Sequence, residues 1–136
     1  MAQSLASIAL LVPSYDEGLA FFCEALGFVV LEDTRLNPDK RWVVVGPPGG
    51  AGARVLLAVP SDERQRARIG DQAGGRVGYF LHTDDFQSDY EAMRARGVSF
   101  LETPRREPYG LVAAFADPWG GKWDLLQPAG AGEGPT

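Results

Sequence analysis

From Leu5 to Val12 the chain is short, apolar and strand-like, and Pro13 and Ser14 stop it. Ser14-Tyr15-Asp16-Glu17 has the form of a capping box, with a Ser oxygen for a first-turn amide and a Glu three residues on. Leu19, Phe22, Cys23 and Leu26 follow at i, i+3, i+4 and i+7 and predict one apolar helical face. Gly27 stands where a left-handed cap would end the helix. Residues 28–32 predict a strand, Asn37-Pro38-Asp39 a turn and residues 41–45 a strand. Residues 46–52 form a loop, and residues 54–59 are a fourth strand that Pro60 ends. The order is β-α-β-β-β.

Residues 61–76 are polar and read as a connection, with Ser61 placed to cap a short helix through Arg68. The first order then returns. A strand is expected over 77–83, a helix capped by Asp85 and carrying Phe86, Tyr90 and Met93, and a stop at Gly97. Strands over 98–101, 111–116 and 122–127 follow, with residues 105–110 as a loop. The two caps, Ser14 and Asp85, lie 71 apart; the two stops, Gly27 and Gly97, lie 70 apart; Pro47 and Pro118 lie 71 apart. Leu57-Ala58-Val59-Pro60 and Leu125-Leu126-Gln127-Pro128 lie 68 apart. So steady an offset through matching elements argues for duplication of one unit. The fold class expected is α+β: two βαβββ modules forming a curved mixed eight-stranded sheet around one cavity. Residues 1–128 are expected to be one domain, with modules at about 4–60 and 77–128, a connection at 61–76 and a disordered tail at 129–136.

Bulk properties narrow the function. A net charge of −5 and no basic stripe disfavour nucleic acid. No apolar run reaches the length of a bilayer span, and no leader pattern precedes the first strand. The single cysteine, Cys23, cannot form an intrachain disulfide, which fits a reducing cytoplasm.

Leu11-Val12 and Tyr15 leading into Leu19-Ala20-Phe21-Phe22 and Leu26-Gly27-Phe28 resemble the vicinal oxygen chelate superfamily. So do Thr83-Asp84-Asp85-Phe86, Arg96-Gly97-Val98 and Phe115-Ala116-Asp117-Pro118-Trp119-Gly120 in the second half. That group contains glyoxalase I, bleomycin-resistance proteins, extradiol dioxygenases and fosfomycin-resistance enzymes. The resemblance covers residues 4–128 and implies a homodimer. It also implies four inward positions for metal ligands, at Ser7, Leu56, Gly78 and Asp124. Asp124 is a good divalent-metal ligand and Ser7 a poor one; Leu56 and Gly78 have no donor. The expectation is therefore no metal and no cofactor, and a metal-independent protein that binds a small organic molecule.

Strand alternation from Gly78 puts Phe80 and His82, the sole histidine, on the same face. His82 and Asp124 are the candidates for ligand contact or acid/base chemistry. Glu107 and Tyr109 stand in the expected loop, where they could close over a ligand. Trp42 offers an aromatic wall, and either it or Arg41 must face inward. Two other readings stay open: a metal-dependent lyase, isomerase or dioxygenase using a relocated set of His82, Glu107 and Asp124, or a metal-free acid/base enzyme using His82 and Asp124.

Overall fold

Strand β1 (Ser7–Leu11) is followed by α1 (Tyr15–Leu19), which runs on as a π-helical stretch over Ala20–Ala25. Ser14 caps it by accepting from the Glu17 amide at 3.1 Å, and the Ser14 hydroxyl donates to Glu17 Oε2 at 2.9 Å. The Glu therefore reaches the Ser side chain. The sequence predicts a regular helix here, and the hydrogen bond from Leu26 N to Phe21 O instead spans five residues. The wider turn moves the buried face to Phe21, Phe22 and Leu26, and Leu19 and Cys23 are only half-buried. Gly27 closes the helix at φ 83°.

Strands β2 (Val29–Asn37), β3 (Lys40–Gly46) and β4 (Arg54–Ala58) complete the first sheet, in the order β1-β4-β3-β2, with β1 and β4 parallel. β2 is longer than expected because the Pro38–Asp39 turn lets the pairing with β3 continue to Asn37, whose Oδ1 accepts from Asp39 N at 2.9 Å. The helix-side face of this sheet presents Leu10, Val43, Val45 and Leu57, all buried. The opposite face carries Ser7 and Ala9 from β1, Arg54 and Leu56 from β4, Trp42 and Val44 from β3, and Glu32 from β2. The short helix α2 (Glu63–Arg66) is capped by Asp62, not by Ser61: Asp62 Oδ1 accepts from Gln65 N at 2.8 Å, and the Ser61 amide donates to the Gln65 side chain.

The second sheet contains β5 (Val77–His82), β6 (Ser99–Phe100), β7 (Arg105–Glu107), β8 (Gly110–Ala116) and β9 (Lys122–Pro128), in the order β5-β9-β8-β6 with β7 on β8. Helix α3 (Phe86–Ala95), capped by Asp85, covers one face through Phe86 and Met93. That face is aromatic: Trp123 stacks on Phe115 with centroids 5.8 Å apart and meets Tyr79 at 4.7 Å, so Trp123 is core as expected.

The structure is a computed structural model, and it describes residues 1–130. It divides into two compact units, the first spanning Met1–Ile69 and the second starting at Gly70. The α+β class and the duplicated order hold. The single eight-stranded sheet does not: the strands form two sheets, of four and five strands. The extra strand is β7, expected as loop, which forms because Arg105–Glu107 folds back on β8 around the two-residue turn Pro108–Tyr109. Of the expected tail, residues 131–136 lie outside the described residues. Ala129 is fixed, donating to Tyr109 O at 2.8 Å.

Candidate functional site

In the first unit the face opposite the helix opens into a cavity of about 360 Å³. Its wall includes Ser7, Glu32, Trp42, Val44 and Arg54, with Gly50–Gly52 along one side. Val44 is buried and Trp42 is 38% exposed, so the cavity has an apolar floor and an aromatic flank. Arg41 alternates to the other face. It is held by Asp33 at 2.6 Å and Asp16 at 3.6 Å, and its amide donates to the Tyr15 hydroxyl. The Arg41 guanidinium, mainly through their hydrogen bond, holds the Asp33 carboxyl below its ordinary value. Of the pair offered by the sequence, Trp42 therefore lines the cavity and Arg41 does not. Arg54 and Glu32 escaped sequence reading because each stands next to apolar strand residues and belongs to no motif. Only the pairing register brings them to one face.

In the second unit, β5 and β9 run in parallel with Phe80 opposite Asp124 and His82 opposite Leu126, so Phe80, His82 and Asp124 share the face away from α3. Phe80 is 56% exposed, and the exposed His82 makes no hydrogen bond or ion pair through its side chain among the described residues. Asp124 is different: it is 8% exposed and its Oδ1 is buried without a hydrogen-bond partner. Burial pushes its carboxyl pKa up, opposed by the Arg105 charge and reinforced by Glu102. On the same side of β9, Arg105 pairs with Glu102 at 3.0 Å and Glu107 at 3.1 Å, and donates to the Tyr109 hydroxyl at 3.2 Å. Glu102 also accepts from Ala114 N at 2.8 Å. Glu107 and Tyr109, expected on a loop, are thus held on a strand and a tight turn, both paired to one guanidinium. Arg105 and Glu102 carried no sequence signal of this role, since the segment reads as loop.

A buried carboxylate with an orphaned oxygen costs stability, and the sign of its pH dependence follows from its raised pKa. The folded chain holds this proton more tightly than the unfolded chain. Its contribution is complete below the ordinary aspartate value of 3.8 and is lost as pH rises through the folded value. Asp124→Asn is therefore expected to raise stability at pH 7 by on the order of 1 kcal/mol, with the gain shrinking toward pH 4. Thermal melts of both proteins across pH 4–8 check this, and a gain that stays constant with pH contradicts it.

The inward positions implied for a metal fit one poorly. Leu56 offers no donor. Gly78 has no side chain, and a Cβ built there would lie 2.6 Å from the Ala73 Cβ. Among the described residues no group of three or more His, Cys, Asp or Glu is placed to hold a metal ion, His82, Glu107 and Asp124 included. Cys23 is half-buried, and burial, with Glu24 adding to it, pushes its thiol pKa up. Alkylation of Cys23 by iodoacetamide at pH 7.5 is expected to run slower than that of free cysteine, as mass spectrometry over time would show. No helix among the described residues is long and apolar enough to cross a membrane.

The chain is 50% identical to an uncharacterized protein of Shewanella frigidimarina, over 93% of this chain and 95% of that one. It is 28% identical to a 2-epi-5-epi-valiolone epimerase of an Actinomyces species, covering 96% of this chain and 82% of that protein. Among solved structures it is similar to TnmS3, an antibiotic binding protein from Streptomyces sp. CB03234, at 27% identity and a TM-score of 0.73, covering 95% of this chain and 98% of that one. The family model of the Glyoxalase/Bleomycin resistance protein/Dioxygenase superfamily matches residues 4–125. With duplicated βαβββ units and that match across nearly the whole length, the chain belongs to the glyoxalase/bleomycin resistance protein/dioxygenase superfamily.

Proposed function

We propose that the protein reversibly binds a small organic molecule without a metal. The observation that carries this reading is the cavity of the first unit: about 360 Å³, floored by Val44 and flanked by Trp42. Its size falls in the usual range for small-ligand pockets, about 300–1,000 Å³. The similarity to an antibiotic binding protein supports binding. Leu56 and Gly78 at two inward positions support metal independence. In the second unit, His82 and Asp124 are proposed as ligand contacts beside Phe80. The homodimer and cytoplasmic location belong to the same reading; sedimentation of the purified protein at twice its 14.7 kDa mass checks the dimer.

The similarity to an epimerase favours a second reading, metal-free acid/base catalysis with His82 and Asp124 moving the proton. Turnover of a ligand bound at His82 and Asp124, as opposed to saturable binding alone, separates the two. A thermal-shift screen of small aromatic and hydroxylated compounds supplies the ligand. For a hit bound beside Phe80 in the second unit, His82→Ala and Asp124→Ala are each expected to weaken binding by roughly 5- to 150-fold, the worth of one buried hydrogen bond. Cys23→Ala is expected to alter melting and leave affinity nearly unchanged. Calorimetry showing wild-type affinity in both polar variants would make His82 and Asp124 structural residues.

A further inference from the structure

We infer that the cavity of the first unit selects an aromatic monoanion, its acid group held by Arg54 and its ring laid against Trp42. This rests on the reading of that cavity as the ligand site and adds the class of molecule it takes. Arg54 and Glu32 line the same cavity, yet neither makes an ion pair or hydrogen bond through its side chain among the described residues. Elsewhere, Arg41 and Arg105 are each locked by two carboxylates.

The register explains why the cavity's two charges stay apart. Glu32 pairs with Val44 on β3, while Arg54 lies on β4, across β3 and about two residues along. Strand spacing and rise put their Cα atoms about 12 Å apart, too far for a direct pair without both chains folding inward. Trp42 and Val44 occupy the strand between them. Arg54 lies one residue past the Val45–Val55 pair, Glu32 is level with Val44, and Trp42 lies two residues beyond Val44. The wall thus presents a cation at one end, Val44 in the middle, and Trp42 with Glu32 beside it toward the other end. A planar ring laid over Val44 toward Trp42 suits this wall, and its carboxylate meets a guanidinium that can bind it through two parallel hydrogen bonds. Glu32 repels a second negative charge at the far end, which limits the ligand to one.

The test uses the full chain with 2-naphthoate, 2-naphthamide and 2,6-naphthalenedicarboxylate, titrated by calorimetry at pH 7 and low salt. The acid is expected to bind about tenfold or more tighter than the amide, as charge-assisted hydrogen bonds require. That preference collapses in Arg54→Gln and returns in part in Arg54→Lys, with melting curves verifying that both fold. The dicarboxylate binds more weakly than the monoacid, and Glu32→Gln removes the difference. Equal binding of acid and amide overturns the inference while the cavity remains a binding site. Acid preference that survives Arg54→Gln also overturns it, since another group then holds the acid. A dicarboxylate that binds as well as the monoacid removes the role of Glu32. No binding of any probe at millimolar concentration overturns this inference alone, since the thermal-shift screen is what decides whether the cavity binds a small molecule.

Discussion

Asp117→Ala is expected to lower stability by about 3–5 kcal/mol, the cost of leaving two buried donors and a third half-buried one unsatisfied, enough to leave a marginally stable fold largely unfolded at moderate temperature. Asp117 is 5% exposed and sits at the turn between β8 and β9. Its Oδ1 accepts from Trp119 N at 3.1 Å and Gly121 N at 2.8 Å, and its Oδ2 accepts from the Trp123 indole at 3.2 Å. Removing the carboxylate strands those donors, two of them in buried surroundings, and loosens the Trp123 ring that packs on Phe115 and Tyr79. Burial raises the Asp117 pKa, and the hydrogen bonds from Trp123 and the turn amides oppose that rise. Asp117→Asn keeps one acceptor oxygen and is expected to cost less than Ala. Urea unfolding of the three proteins checks the order; equal midpoints for Asp117→Ala and the parent refute it.

Gly110→Ala carries the second large effect, about 2–4 kcal/mol, because strain and a backbone collision add. Gly110 has φ +149°, a region that other residues avoid, and an added Cβ would run into the carbonyl of Gln127 on the neighbouring strand. The residue also pairs with Glu107 and closes the turn carrying Tyr109. The damage therefore reaches the Arg105 cluster beside Asp124. Gly49, also at positive φ, has open space around it, so Gly49→Ala is expected to cost only the strain. Denaturation midpoints for the two variants separate collision from strain. Similar losses at both positions would show that the Gln127 contact relaxes.

Asp124 sets stability against recognition. Asp124→Asn is expected to stabilise the fold at neutral pH, whereas the proposed function needs the carboxyl to meet a ligand. A buried oxygen without a partner is a cost that binding can offset.

Much of the fold was legible because duplication writes each local signal twice. Ser14 and Asp85 are both caps, and Gly27 and Gly97 both end helices at positive φ. The π turn was invisible, since Leu19, Phe22, Cys23 and Leu26 satisfy helical spacing as well as the observed Phe21, Phe22 and Leu26 do. β7 was hidden because Arg105-Arg106-Glu107 has no apolar alternation; its pairing is set by the turn at Pro108–Tyr109 and the glycine after it. In the candidate site, parity placed His82, Phe80 and Asp124 on one face, a purely local inference. Arg54, Glu32, Arg105 and Glu102 depend on cross-strand register and on side-chain pairing, which local patterns do not encode.

β2 has a consequence for colloidal behaviour. It is the outer strand of its sheet, nine residues long and exposed throughout, with Val29, Val30, Leu31 and Leu36 among them. An edge of that length and character invites strand addition and fibril growth. Two irregularities interrupt its ladder, between Val30 and Glu32 and between Arg35 and Asn37, and Glu32, Asp33 and Arg35 stand between them. The breaks twist the backbone out of the flat register that an incoming strand needs, and the charges repel stacked copies of the same segment. The bulges and the charge run thus act as gatekeepers on the most aggregation-prone edge of the sheet.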